Sequence, residues 1–289
     1  MLSAIEHRRR RRARRRRVFA AALVVALCGL GAFAVAAWLR GGTGSDARPG
    51  GARPQAARTA GSQATTTTAL PTSTTLPAPP AVAPRVDHIA TTDPVVFVTI
   101  DDGWHPLPDV LAFLQARRAP VTAFLIAPIA QRDADFYRQV RTLGGTVEDH
   151  TMHHPDLARL SPAQQTAEVC QAADLIGATF GRRPLFTRPP YGTESQVTDQ
   201  VIGGCGMYET VLWNAKYSNH QFSRAHPGGL QRGDIILMHW GPGLLQDLRD
   251  LFPRLDAAGL RPAPLQGYLG PTATHAGSIP AAPVGSPSE

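Results

Sequence analysis

Between residues 93 and 269 the chain alternates between short apolar runs and longer amphipathic stretches. The short runs are rich in β-branched residues, which is typical of strands buried on both faces. The stretches between them have helical periodicity, and Ser161-Pro162 has the residue types that favour an N-cap and a first helical position. The predicted strands are Val95–Ile100, Val121–Ile126, Gly145–Asp149, Leu185–Arg188, Thr210–Asn214, Asp234–His239 and a run near Arg261–Leu265. The predicted helices are Leu107–Arg118, Asp133–Leu143, Ser161–Phe180, Ser195–Ile202 and Gly243–Ala258.

This alternation of strands and helices predicts a parallel sheet covered by helices, and therefore an α/β domain over residues 91–269. An eight-stranded barrel usually takes ~250 residues, whereas seven strand signals fall within this shorter stretch. The pattern favours a distorted seven-stranded (β/α) barrel.

The N-terminal part of the chain has a different pattern. Residues 1–17 are rich in Arg, and residues 18–39 carry no charge. An apolar run of ~20 residues can cross a bilayer, and flanking Arg residues stay on the cytoplasmic side. We expect a cytoplasmic Arg-rich segment and one transmembrane helix, so that the domain lies outside the cell membrane. The alternative is a signal peptide, cleaved at a site such as Ala34-Val35-Ala36, and a secreted protein.

Residues 40–90 are rich in Pro, Thr and Ala and hold few large apolar side chains. Such a composition cannot bury a core and predicts a disordered linker. Residues 270–289 have a similar composition and are expected to form a disordered tail. The linker would act as a stalk that holds the domain at the distance of a cell-wall layer.

Most of the positive charge belongs to the N-terminal segment. Of the 29 basic residues 13 lie within residues 1–60, and residues 61–289 carry 16 basic against 20 acidic residues, a formal net charge of −4. The basic total therefore gives no reason to expect a nucleic-acid partner. We expect a monomer.

Two cysteines lie outside the apolar segment, Cys170 and Cys205. A pair of cysteines in an exported protein is a candidate disulfide, because the compartment is oxidising. The alternative is two thiols that are buried separately.

Chemically reactive side chains follow several of the predicted strands. Asp101 and Asp102 come at the end of the first strand, and His150, Arg188 and His239 follow or end later ones. In parallel α/β folds the functional residues gather at the carboxyl ends of the strands, so these side chains should meet. One Asp and two His can hold a divalent metal and leave a position for water, which suits metal-assisted hydrolysis.

Four segments, in order, resemble the motifs of the polysaccharide deacetylase family with the NodB homology domain, the fourth carbohydrate esterase family. The segments are Thr99–Gly103 against T-F-D-D-G, His150–His154 against H-S/T-x-x-H, Arg188–Gly192 against R-P-P-Y-G, and Leu237–His239 against L-x-H. The resemblance extends over roughly residues 93–267. Each motif alone is weak, but four in this order and spacing are specific.

The resemblance implies a metal site formed by Asp102, His150 and His154. The metal would be Zn²⁺, with Co²⁺, Mn²⁺ or Ni²⁺ as alternatives, and would polarise an acetamide carbonyl and activate water. Asp101 would be the general base and His239 the general acid. His153 is the alternative to His154 as a ligand.

The same resemblance gives roles to the residues around this site. Arg188 would hold Asp101 ionised, the backbone N–H of Tyr191 would stabilise the oxyanion, and Leu237 would line the pocket for the acetyl methyl group. Trp104 is a candidate for a different reason: it directly follows the Asp pair, and an aromatic face suits stacking on a sugar ring. Packing inside the barrel is the alternative.

One motif departs from the family. The fourth motif, D-x-x-D-W, follows a strand that ends in Trp; if Trp213 aligns, Lys216 and Asn219 replace the two Asp and His220 replaces the Trp. The first of these Asp supports the catalytic His in the family, and a cation there would make His239 a poorer acid.

Taken with the anchor and the stalk, the resemblance implies a metal-dependent deacetylase that removes N-acetyl groups from an extracellular or cell-wall polysaccharide, with peptidoglycan favoured. The altered fourth motif keeps a second hypothesis open, in which the same fold binds carbohydrate without catalysis.

Overall fold

The structure is a computed structural model, and it describes residues 76–225 and 227–274. Ten strands in this part of the chain form one curled sheet. The strands are β1 Arg85–Val86, β2 Val95–Asp102, β3 Thr122–Leu125, β4 Thr146–Asp149, β5 Phe186–Thr187, β6 Glu209–Val211, β7 Ala215–Ser218, β8 Gln221–Arg224, β9 Ile235–His239 and β10 Arg261–Pro262. Their order is β1-β6-β5-β4-β3-β2-β9-β7-β8, and β10 pairs with β2 beside this path. The pairs are parallel except for the β7–β8 hairpin.

Helices cover the outer face of the sheet. They are α1 Pro108–Ala116, α2 Ala127–Arg132, α3 Ala134–Thr142, α4 Pro162–Phe180, α5 Gln196–Gly204 and α6 Leu244–Ala257. The predicted start of α4 is confirmed, because the Ser161 side chain accepts a hydrogen bond from the N–H of Gln164 and Pro162 is the first helical residue. Gly181 ends α4 at a φ of 74°, a conformation that glycine adopts without strain.

The α/β class is confirmed, and all seven predicted strands and five predicted helices are present. The predicted strand count was wrong, because β1, β7 and β8 extend the sheet at its two edges. These strands contain no continuous apolar run, since β1 is two residues long and the β7–β8 hairpin alternates polar and apolar residues. The helix α2 was also not predicted.

The packed domain begins earlier than residue 91. Ala83, Val86 and Ile89 are buried, and the N–H of Ala83 donates to the backbone oxygen of Asp199. The carboxyl end of the expected linker is therefore part of the fold. Residues 1–75 and 275–289, which include the expected anchor and most of the expected stalk and tail, lie outside the described residues. Within the described ranges, none of the helices combines the length and the apolarity that crossing a bilayer requires.

The sheet packs on both faces, and β2 shows how the site arises from this. Val98 and Ile100 lie in the core cluster under the helices. Phe97 lies on the other face, in the cluster enclosed by the curl of the sheet. Because side chains alternate along a strand, Thr99 and Asp101 follow Phe97 on this inner face. The inner face is therefore apolar at the amino ends of the strands and polar at their carboxyl ends.

The predicted disulfide is confirmed. Cys170 on α4 is bonded to Cys205, which directly follows α5, and the two Cα atoms are 5.0 Å apart. The bond joins two neighbouring helices of the outer layer.

Candidate active site

The three predicted metal ligands lie together at the carboxyl end of the sheet. One ligand atom from each of Asp102, His150 and His154 lies within 4.8 Å of the other two. Asp102 Oδ1 is 3.5 Å from His150 Nε2 and 3.3 Å from His154 Nε2. This carboxylate oxygen is buried and has no hydrogen-bond partner among the described residues. An unsatisfied buried oxygen facing two imidazole nitrogens is a donor set that fits a divalent cation such as Zn²⁺.

The electrostatics of this cluster keep its carboxylate charged. Burial by itself raises the pKa of Asp102, but the polar interactions with His150 and His154 outweigh burial and lower its pKa well below the usual range. A ligand carboxylate must be ionised to bind a metal, so Asp102 is in the state that binding requires.

Backbone geometry directs the ligands toward each other. His150 Nδ1 lies 2.7 Å from the backbone oxygen of Arg188. An imidazole that donates through Nδ1 to this carbonyl keeps the lone pair of Nε2 free to face Asp102. Asp102 and His154 have left-handed φ values of 75° and 60°, which are uncommon for residues other than glycine. Such strain is concentrated at functional sites, where the surrounding structure maintains it.

Two residues that the sequence analysis did not select hold this backbone in place. The hydroxyl of Tyr137 donates to the backbone oxygen of Gly103 at 2.8 Å, next to Asp102. Asp149 accepts hydrogen bonds from the N–H of Thr151 at 2.7 Å and the hydroxyl of another buried threonine, and burial raises its pKa to about 7. The one signal for Asp149 was its place in an apolar strand, directly before His150.

The proposed base and its partner are both buried. Arg188 has no exposed surface, and its Nη1 lies 2.7 Å from Asp101 Oδ1 and 2.7 Å from Thr99 Oγ1. Its other donors reach the backbone oxygens of Val211 and Leu212. Burial lowers the pKa of Arg188, but Asp101 opposes this, and a guanidinium with these partners stays charged. The cation therefore fixes one oxygen of Asp101.

The other oxygen of Asp101 faces the metal ligands. Asp101 Oδ2 lies 3.9 Å from His150 Nε2. One carboxylate thus bridges the buried arginine and the ligand cluster, which is the position that a base acting on a water beside the cluster needs.

His239 lies across from Asp101 in the β2–β9 register and shares its face of the sheet. His239 is exposed. Partial desolvation lowers its pKa, and the charges of Lys216 and His150 lower it further, although Asp101 and Asp102 act in the opposite direction. An imidazole with solvent access on the inner face can exchange a proton with a bound substrate.

The altered fourth motif is divided between two places. Lys216 lies on β7 in register with Leu237 of β9. Its positive charge lowers the pKa of His239, in the direction predicted from the sequence. Asn219 and His220 form the turn between β7 and β8, where their N–H groups donate to the carboxylate of Asp247 on α6.

The remaining predicted residues surround the cluster. His153 is exposed and its Nδ1 lies 2.8 Å from Glu168, so the structure does not bring it into the cluster. Trp104 is 53 % exposed, which contradicts packing inside the barrel. The ring of Tyr191 is 66 % exposed and packs 4.8 Å from the ring of His154. Leu237 is buried on the inner face, in register with Thr99.

This fold and site define a class of protein. A parallel sheet carries a metal-type Asp-His-His cluster, a buried carboxylate fixed by arginine and an accessible imidazole at the carboxyl ends of its strands. These are the parts that a metal-assisted hydrolase needs.

The comparison with known proteins agrees with this class. The family model described as polysaccharide deacetylase matches residues 88–210. An uncharacterized protein of Streptomyces coelicolor is 32 % identical over 64 % of this chain and 77 % of its own length. A chitooligosaccharide deacetylase of Bradyrhizobium is 32 % identical over 55 % of this chain and 71 % of its own. A peptidoglycan-N-acetylglucosamine deacetylase of Bacillus cereus is 28 % identical over 60 % of this chain and 87 % of its own length. The chain belongs to the polysaccharide deacetylase family and is a deacetylase-type hydrolase.

Solved structures support the same fold. A pseudoenzyme of the fourth carbohydrate esterase family from Bacillus anthracis matches with a TM-score of 0.57 and 18 % identity, over 64 % of this chain and 68 % of its own. At this identity the likeness concerns the fold alone.

Proposed function

We propose that this protein is a metal-dependent deacetylase that removes N-acetyl groups from a cell-wall polysaccharide, with peptidoglycan as the favoured substrate. One observation carries the proposal: the Asp102, His150 and His154 cluster lies beside the buried pair of Asp101 and Arg188. A matched relative from Bacillus cereus that bears the name of a peptidoglycan deacetylase supports the substrate.

The residues then have distinct tasks. Asp102, His150 and His154 would hold the metal, Zn²⁺ in the first instance, which when bound would polarise the acetamide carbonyl and make water more acidic. Asp101 takes a proton from the attacking water and is kept oriented by Arg188.

The leaving group and the acyl part need further contacts. His239 donates a proton to the sugar nitrogen as the C–N bond breaks, so that water is added across this bond and acetate and a free amine result. The backbone N–H of Tyr191 stabilises the oxyanion, Leu237 contacts the acetyl methyl group, and Trp104 stacks on a sugar ring.

Release of acetate by the full chain tests this function. N-acetylglucosamine oligomers and isolated peptidoglycan are the substrates, and the metal content is measured in parallel. Asp101→Asn should lower the rate by at least about 100-fold, the lower range for general base catalysis, while the metal content stays the same. No acetate from either glycan with a folded, metal-loaded protein contradicts the proposal.

A second function has a specific observation in its favour, namely the cation at Lys216, whose charge lowers the pKa of His239. In this alternative the protein binds glycan without turnover, and the solved structure of a pseudoenzyme with the same fold is a precedent for the scaffold. Glycan binding that survives Asp101→Asn, together with no turnover by the parent protein, favours it. The combined presence of Asp101, Arg188 and His239 favours the enzyme.

The N-terminal sequence supports a proposal for the location. We infer that residues 18–39 anchor a monomer in the cell membrane, with residues 1–17 inside and the catalytic domain outside. Fractionation of cells and N-terminal sequencing of the mature protein test this, and a chain that starts after residue 36 in the medium supports the secreted alternative.

A further inference from the structure

The β7–β8 hairpin extends the inner face of the sheet beyond the proposed acid. Lys216 on β7 is in register with Leu237 on one side and Ser223 on the other, and Ser218 is in register with Gln221. Residues in register share a face, so these four hairpin side chains lie on the face that also carries His239. The hairpin thus continues the site as a surface of hydroxyl, amide and ammonium groups.

The other face of the hairpin holds it in place. Ala215 and Tyr217 are buried, and the ring of Phe222 packs against the same core. At the tip, the N–H groups of Asn219 and His220 donate to Asp247 of α6. The polar face therefore has a fixed position beside the acid, as a preorganised binding surface requires.

Lys216 is unusual in the sequence as well as in the structure. It is the one lysine in a chain with 28 arginines. Its side chain is exposed, and within residues 76–225 and 227–274 no carboxylate forms an ion pair with it. Arg224, the other cation of the hairpin, has a partner, since it binds Asp234 at 2.9 Å. The hairpin face therefore has one uncompensated positive charge, next to a substrate site.

We propose that this hairpin face is a subsite for an anionic sugar, in which Lys216 pairs with a carboxylate carried by the glycan next to the N-acetyl group. The inference rests on the proposed function and names the class of substrate that the same site prefers. Ser218, Gln221 and Ser223 would bind sugar hydroxyl groups, and the ammonium would discriminate between charged and neutral glycans. The carboxylate is that of a lactyl ether, as in muramic acid, or that of a uronic acid.

Acetate release by the full chain tests the preference for charge. The substrates are peptide-free peptidoglycan strands with lactyl carboxylates, the same strands with these carboxylates reduced to alcohols, N-acetylglucosamine oligomers, and an oligosaccharide of alternating N-acetylglucosamine and glucuronic acid. The parent protein should have a kcat/KM about tenfold higher on a carboxylate glycan than on its reduced form, the factor for ~1.4 kcal/mol. Whichever carboxylate glycan has the higher kcat/KM identifies the source of the charge.

Matched variants assign this preference to the lysine. Lys216→Met should bring the ratio of charged to reduced substrate close to one, and Lys216→Arg should retain it. Arg249→Met removes one exposed positive charge on α6 and should leave the ratio at its parent value. A ratio near one in the parent, or an unchanged ratio in Lys216→Met, overturns the inference while the proposed function stands. If no glycan releases acetate, the proposed function itself fails.

A second readout does not depend on turnover. Because the chain has one lysine, an amine-reactive reagent labels only Lys216 and the N-terminal amine, and peptide mapping separates the two. In Asp101→Asn, the carboxylate glycan should slow the labelling of Lys216, and the reduced glycan should not. Equal labelling rates with both glycans contradict a contact between Lys216 and the carboxylate.

Discussion

At the scale of single residues, two adjacent histidines with different environments allow a sharp test of the metal site. His154 faces Asp102 at 3.3 Å, whereas His153 is exposed and binds Glu168. We expect His154→Ala and His150→Ala to lower the metal content of the purified protein severalfold or more, because each removes one of three protein ligands. His153→Ala is the matched control and should retain the metal content. Elemental analysis provides the measurement, and an equal loss from His153→Ala would show that the ligand is misassigned.

The charge at Lys216 adds to desolvation in lowering the pKa of His239, the proposed acid. Desolvation and Lys216 lower the pKa of His239, so the protonated imidazole is lost at a lower pH than it would be with an acidic neighbour. Lys216→Asp replaces repulsion by attraction, which favours the charged imidazolium and raises its pKa. The alkaline limb of the kcat profile should therefore move to higher pH, and that of Lys216→Met should move less.

This profile is measured on N-acetylglucosamine oligomers, which carry no carboxylate that an aspartate could repel. An alkaline limb that does not move in Lys216→Asp would mean that the lysine does not act on the acid.

Motifs could predict the reactive residues, but not the residues that hold them. Asp102, His150 and His154 were selected because the segments that hold them resemble the motifs of the family, and their residue types suit a metal site. Tyr137, whose hydroxyl fixes the backbone at Gly103, gave no signal because its role depends on a contact across 34 positions of sequence. The role of Asp149 could not be predicted either, because it depends on its burial and on the two hydrogen bonds that it accepts.

At the scale of elements, the turn after β2 decides where Asp102 points. Gly103 has a φ of 92°, and a Cβ there would lie 3.0 Å from Leu125 Cδ2 and 3.1 Å from the Tyr137 hydroxyl. Gly103→Ala should lower the free energy of unfolding by ~1–3 kcal/mol and lower the metal content, because strain and crowding displace the turn.

Gly181→Ala is the matched control for Gly103→Ala. Gly181 has a φ of 74°, and its Cβ would have nothing within 4 Å. Gly181→Ala should lower the free energy of unfolding by only ~1 kcal/mol, because alanine is disfavoured in this backbone conformation, and the variant should keep its metal. Urea unfolding measures the loss of stability in both variants, and metal analysis measures the loss of metal. An equal metal loss in both would contradict a specific role of the turn at Gly103.

The elements that the sequence did not predict share one physical property. Strand β1 is two residues long and is defined by its pairing with β6, 125 positions later. The β7–β8 hairpin has alternating burial, but its polar positions outweigh the apolar ones in a short run. Buried central strands can be predicted from their apolar composition, whereas these short strands near the sheet edges depend on the strands that they pair with.

At the scale of the whole molecule, the disulfide stabilises the helical layer without touching the site. Of the three cysteines, Cys170 and Cys205 are bonded, so one thiol should titrate in the uncleaved chain after denaturation without reductant. The double variant Cys170→Ala/Cys205→Ala should be less stable by ~2–4 kcal/mol, with its metal content unchanged. Thermal unfolding in the presence and absence of reductant is the measurement, and three titrating thiols would contradict the bond.

The strand order indicates that the metal ligands and the acid His239 come together at different stages of folding. One metal ligand, Asp102, ends β2 and the other two follow β4, and these strands are linked through β3 in consecutive order. In contrast, β9 pairs Asp101 with His239 from 138 positions away. Contacts that close long loops form late in folding. During refolding we expect the spectrum of bound Co²⁺ to develop before acetate release returns. The nascent domain would thus acquire its metal before it acquires its acid, and remain inactive until β9 inserts beside β2.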